Sequence, residues 1–296
     1  MNDRFTISAW KHSTTLLKGL QNTSLSPGVQ LLIHAANGAA NPSHVSIGQI
    51  EAAITFDTLA IKTAMAGLGG ITGVALASDT FYLQKLLADG LRAGATSHIK
   101  VVAAVGIIVP TILRMPARKA AVESYRAVPR STDGVTAPLT FTAAQSLEAA
   151  QDLVPEVYTL GVVTINGTEL EMVEEVTIDF GNKLDINYGT GHVYPTFTGI
   201  IEQSPIITLA TNDVGALVSW GLAGAIQGGT NDSTIILNNQ ILGGVRGSSP
   251  ITFSLDEGLY VFEDISGNQG DKYAGRIRMT PVYDGTNAII AVTGLT

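Results

Sequence analysis

The chain has no cysteine among its 296 residues, which excludes disulfides and thiolate metal sites. Charge is also scarce, at 14% Asp, Glu, Lys and Arg against 45% hydrophobic residues. That balance excludes a disordered chain, which needs low hydrophobicity and high charge. The longest apolar run, residues 101–113, is interrupted by Pro110 and falls short of the roughly 20 residues a membrane helix needs. It reads instead as a buried strand with its ending, and no membrane insertion is expected. The first ten residues, MNDRFTISAW, hold no apolar run of signal-peptide type, so the reading is a soluble chain made inside the cell. What is abundant is glycine, 32 residues, the mark of a turn-rich β protein.

Chemistry is equally sparse. The five histidines, His12, His34, His44, His98 and His192, show no metal-ligand spacing. Residues 67–73, GLGGITG, lack the Lys-Ser/Thr of a phosphate-binding loop, and no Gly-x-Ser-x-Gly elbow occurs. The acidic residues Glu169, Glu171, Glu174 and Glu175 read as a solvated face rather than as a paired-carboxylate site. No enzyme, cofactor or metal is expected. Net charge is −8, against a phosphate-clamping nucleic-acid binder. It is unevenly spread: residues 1–150 carry 12 Lys/Arg and 8 Asp/Glu (+4), and residues 151–296 carry 5 and 17 (−12).

The chain repeats itself. Displaced by 153 positions, residues 28–68 match 181–221 without a gap, with nine identities in 41 where composition gives about three. They include Gly28/Gly181, Gly38/Gly191, Pro42/Pro195, Ile54/Ile207 and Thr58/Thr211. Near an offset of 152 follow Ile99/Ile251, Gly106/Gly258 and Pro129/Pro281, then Asp133-Gly134 against Asp284-Gly285. A tandem duplication accounts for this order. The boundaries drawn are 1–142 and 156–296, with 143–155 as a linker whose helix opens at a Thr142–Gln145 capping box.

The second copy spells its strands clearly. Asn166-Gly167 is a hairpin turn, and residues 173–180, 184–188, 206–209 and 251–255 alternate or run apolar as strands do. Thr211-Asn-Asp213 caps a short helix carrying Val214, Leu217, Val218 and Leu222, with Trp220 inside it. In the first copy, residues 81–91 and 118–127 have helical spacing, but the repeat places the latter near a strand. The fold expected is mainly β: two tandem β-sandwiches, each with a short flanking helix.

Residues 176–213, and in particular Gly191, Tyr194, Pro195, Pro205, Ile207 and Thr208, resemble the major tail tube proteins of long-tailed phages. Gly38, Pro42, Ile54 and Thr55 keep part of this pattern in the first copy, with Asn41 and Ala52 departing from it. The resemblance implies a structural virion protein of the phage tail, assembled in the host cytoplasm. Its partners would be further copies of itself, with tape-measure, terminator and tail-tip proteins, and DNA would pass through without specific binding. Two tube-like domains per chain imply trimeric rings of pseudo-sixfold symmetry. Arg118, Lys119 and Arg126 on the basic copy, and Glu169, Glu171, Glu174 and Glu175 on the acidic one, are the candidate interface residues. The alternatives are a tail-tip adaptor or secretion-tube ring of the same fold, or a carbohydrate-binding β-sandwich of a phage tip, which would display exposed aromatics. The last is the weaker reading, because Trp10 and Trp220 lie in separate copies and Trp220 sits in the expected helix.

Overall fold

The computed structural model describes residues 4–37, 40–148, 156–213, 215, 226–227, 233–241, 245–266 and 274–296. The first repeat runs β1 (Arg4–His12), β2 (Thr15–Leu17), β3 (Leu20–Ser26), β4 (Val29–His34), β5 (His44–Ile50), β6 (Ala53–Thr58), helix α1 (Ile61–Gly67), β7 (Val74–Ala75), β8 (Asp79–Leu86), β9 (His98–Ala103), β10 (Gly106–Pro116), β11 (Val122–Pro129) and β12 (Leu139–Gln145). The second runs β13 (Val157–Ile165), β14 (Thr168–Leu170), β15 (Val173–Asp179), β16 (Asn182–Asn187), β17 (Phe197–Gln203), β18 (Ile206–Thr211), β19 (Ile226–Gln227), β20 (Ser233–Ile241), β21 (Val245–Arg246), β22 (Ile251–Leu255), β23 (Gly258–Ser266), β24 (Ala274–Pro281) and β25 (Ala291–Thr293). The protein is mainly β, and all of these strand pairs are antiparallel.

The strand order is written twice. One sheet of the first repeat runs β12-β9-β8-β1-β2, and its counterpart runs β25-β22-β20-β13-β14. The neighbours β10-β11-β6-β3, with β7 on β10, correspond to β23-β24-β18-β15, with β19 on β23. Two hairpins, β4–β5 and β16–β17, stand apart as separate two-stranded sheets. Pro42 and Pro195 lie in their connecting loops, so the matched prolines occupy the same topological place. Local conformations agree as well. Gly28 and Gly181 have φ of +58° and +59°, and a Cβ on either would lie 2.0 Å from the carbonyl oxygen of Glu51 or Ser204. Only glycine fits both, because the strand enters its hairpin by closing directly onto the backbone that leaves it. The hairpin turn at Asn166-Gly167 forms as expected, with both residues left-handed.

Each repeat has its own core, drawn from both of its sheets. In the first, Trp10 packs between Phe56 and Phe81 with ring centroids 5.1 and 5.4 Å away, and Phe56 stacks on Tyr125 at 5.5 Å. The second is aliphatic, built on Val163, Val176, Ile178, Ile207, Leu237 and Ile277 around Tyr158, Phe180 and Phe253. Strands such as β18 and β24 alternate buried and open positions with a period of two. Helix α1 is shared: Ala64 and, just past its end, Leu68 face the first core, whereas Ile61 and Met65 face the second.

Three sequence expectations are corrected. The run at 101–113 is not one strand: β9 ends at Ala103 and β10 begins at Gly106. Pro110 sits inside β10 next to a register shift, a bulge that tolerates a residue without an N–H. Residues 81–86 continue strand β8 rather than forming a helix, because β8 is paired on both sides, by β1 and β9. The Thr142–Gln145 segment is the end of strand β12, paired to β9 at Thr142 and Gln145, so the ladder overrides its capping pattern. Residues 146–148 of the expected linker helix are not helical; its remainder, 149–155, and the second-copy helix with Leu217, Trp220 and Leu222 lie outside the described residues. No helix among the described residues is long and apolar enough to cross a membrane.

Candidate assembly interface

The two repeats are joined edge to edge. Strand β10 of the first pairs with β15 of the second, Ile112 to Pro116 against Asp179 to Glu175, so both repeats share one ten-stranded sheet. Leu113 and Met115 thereby enter the second core with no exposed surface. The join continues into backbone bonds beyond the ladder: Phe180 N–H donates to Thr111 O (3.0 Å) and Ala117 N–H to Glu174 O (2.8 Å). At the base of the β16–β17 hairpin, the Asn182 side-chain amide donates to Ile71 O and Pro110 O at 3.0 and 2.9 Å, and Gln203 donates to Ile71 O at 2.9 Å. These three bonds pin the second repeat's hairpin to the first repeat, at Pro110 of β10 and at Ile71 in the turn after helix α1.

A second contact closes the same join. The turn after β11 is held by Asp133, whose Oδ1 accepts from Val135 N–H and Thr136 N–H at 2.9 and 2.7 Å. With the Thr136 hydroxyl these bonds hold its carboxyl well below the usual carboxylate range. The loop 193–195 lies on this turn: Val193 and Tyr194 N–H donate to Gly134 O, and Ser131 N–H donates to Pro195 O. A Cβ at Gly134 would come within 2.2 Å of His192.

The charged candidates are distributed around this join. Arg118 and Lys119, in the turn between β10 and β11, line an open cleft of about 440 Å3 with Met172, Val173, Glu174 and Asn212. No ion pair joins them to Glu174 in that cleft among the described residues. Arg126 instead pairs with Glu51 of its own repeat at 2.9 Å. Glu169 and Glu171 are exposed around β14, and Glu175 stands opposite Pro116 in the ladder. Arg130 reaches the second repeat through the carbonyl of Thr196, 2.9 Å away.

Buried polar groups concentrate in the first repeat. Asp79 accepts from Trp10 Nε1 (2.7 Å) and Ala77 N–H (2.9 Å) and bonds His12 Nδ1 (2.8 Å). Glu123 is fully buried, with the Tyr125 hydroxyl as the polar group beside its carboxyl. Burial pushes both groups well above their ordinary values. Sequence reading missed both clusters, because Asp79 meets Trp10 and His12 from 69 and 67 positions away, and Glu123 is enclosed by strands on both sides, opposite Thr58 and Leu113. His34 and His44 face each other across the β4–β5 hairpin, ring centroids 6.2 Å apart. Among the described residues no group of three or more His, Asp or Glu gathers as a metal site would require. No protein-family model and no curated protein matches the chain.

Proposed function

We propose that this chain is a structural subunit of a phage tail tube, with residues 1–142 and 156–296 as its two domains. In this reading three chains close a ring of six quasi-equivalent repeats, and rings stack into a channel for DNA. One observation carries the assembling half of the proposal: the strands that join the repeats, β10 and β15, have counterparts β23 and β3 toward opposite ends of the ten-stranded sheet, where β3 is the last strand and, among the described residues, β23 is covered by β19 only at Leu259 and Tyr260. A join that works inside the chain is therefore available between chains, and repeating one rotation closes a ring. Closure also removes the sheet edges that would otherwise invite aggregation. The tail-tube half is supported by the Gly191–Thr208 resemblance and by the −8 net charge, since an acidic or neutral lumen repels phosphates and lets DNA slide.

Electron microscopy and mass measurement of the purified chain test this reading. Stacked tubes of rings with three chain masses each are expected. Single rings that never stack point to an adaptor, and a chain that stays monomeric at high concentration overturns the proposal.

A further inference from the structure

We infer that the end of β23 around Ile265 docks against β3 of a second copy of this chain, in the register by which Leu113 meets Ile178 inside the chain; this rests on the self-assembling reading above. The template is the internal join. Ile112, Leu113 and Arg114 stand opposite Asp179, Ile178 and Thr177. Their counterparts are Asp264, Ile265 and Ser266 on one side and Ser26, Leu25 and Ser24 on the other. Both stretches have one open side: among the described residues β3 pairs with β6 alone, and 264–266 with β24 alone.

Burial shows what each surface lacks. Leu113 is fully buried at the internal join, whereas Ile265 is 37% exposed. Ile178 and Phe180 are fully buried, whereas Leu25 and Pro27 border an open cleft of about 390 Å3 with Val29, Ile50, Ala52 and Phe141. Val29 and Ile50 occupy the positions of Asn182 and Gln203, so the polar pins of the internal join are replaced by apolar contact surface. Val29 and Phe141 remain 43% and 54% exposed. A cleft of this kind on an assembling chain marks a contact surface.

The second contact of the join is also prepared and empty. Asp284 repeats the cap of Asp133, accepting from Thr286 N–H and Asn287 N–H at 2.7 Å. Gly285 repeats the left-handed Gly134, with φ +90° against +75°. Yet a Cβ at Gly285 would meet nothing within 4 Å, where one at Gly134 meets His192. The segment that covers Gly134 is 193–195, and its counterpart is Ala40-Asn41-Pro42. The neighbour that presents β3 to Ile265 thus also presents 40–42 to Gly285, because both internal contacts link the same two repeats. The occupant is a second copy because the matching strand and loop are both carried at the far end of this same chain. The joint between chains also lacks one backbone bond, since Pro27 has no N–H to replace that of Phe180.

Absence of cysteine makes the test clean. Directly opposed strand residues lie about 4.5–5.5 Å apart, within disulfide range. The Leu25→Cys/Ile265→Cys chain, oxidised under assembling conditions, should yield covalent dimers and then a closed trimer. A mis-registered control, Leu25→Cys/Leu259→Cys, should not cross-link. Separately, Val29→Asp and Ile265→Asp should each abolish self-association with an unchanged thermal midpoint, and their mixture should form a heterodimer through the one intact joint. Rings that form without the 25–265 cross-link, cross-linking equal to the control, or Asp variants that assemble normally would overturn the inference. Cross-linked rings that do not stack would leave this joint standing and remove the tail-tube function instead.

Discussion

Two equivalent edges, β15 in the second repeat and β3 in the first, follow the same topology and meet opposite fates within the chain. On β15 the residues Ile178 and Phe180 are sealed by β10, and the hairpin beside them is pinned by Asn182 and Gln203. On β3 the counterparts Leu25, Pro27, Val29 and Ile50 border a cleft. Charge follows the same division. Arg118 and Lys119 face Glu174 at the internal join, whereas Gln21 takes the place of Glu174 and Ser266 that of Arg114 at the open ends. The internal join is thus polar at its rim, and its open counterpart is dominated by apolar surface. The same strand geometry is present twice, and the residues that differ decide which of the two edges is sealed within the chain.

The largest difference between the edges should come from Phe180 and Pro27. Phe180→Ala leaves a cavity in a packed core and should cost about 3–5 kcal/mol. Pro27→Ala, at an exposed site, should stay within about 0.5 kcal/mol in the monomer. Urea unfolding of both variants checks this, and comparable losses would break the distinction between a filled and an open edge.

The cores of the repeats differ in a second way, through Glu123, whose counterpart is Gly275. Burial raises the Glu123 carboxyl well above its ordinary value of 4.5, so the folded chain keeps a proton that the unfolded chain releases. The stabilising effect is complete below that ordinary value and is lost as pH rises through the folded one. Glu123→Gln should therefore match the parent near pH 4 and exceed it at pH 8, by about 1–3 kcal/mol. A parent whose stability does not fall relative to Glu123→Gln between those pH values would contradict the buried acid.

The smallest effect separates the two Asp-Gly turns. Gly134→Ala and Gly285→Ala share the strain of a left-handed backbone, of order 1 kcal/mol. Only the former also collides with His192. Thermal melts of the monomer should show Gly134→Ala as the more damaging by about 1 kcal/mol. Equal losses would mean that the loop 192–195 yields to the turn without cost.

Much of this was legible before folding. The duplication showed in paired glycines and prolines because those residues answer backbone demands that both copies share, at Gly28 and Gly181 or at Asp133-Gly134 and Asp284-Gly285. The β class followed from alternation and turn chemistry, and Asn166-Gly167 marked its hairpin directly. Sequence patterns failed where a ladder competed with local propensity, as at Thr142–Gln145 and residues 81–86, since pairing partners tens of residues away decide those conformations. Only the tertiary structure revealed that β10 crosses to β15, that Arg126 spends its charge on Glu51 within one repeat, and that Leu113 is buried where Ile265 is not. Edge pairing is a relation between distant backbones, with no local residue code. The sequence by itself therefore determined that there are two copies of one β unit, and the packing of those copies decided which of their edges is closed.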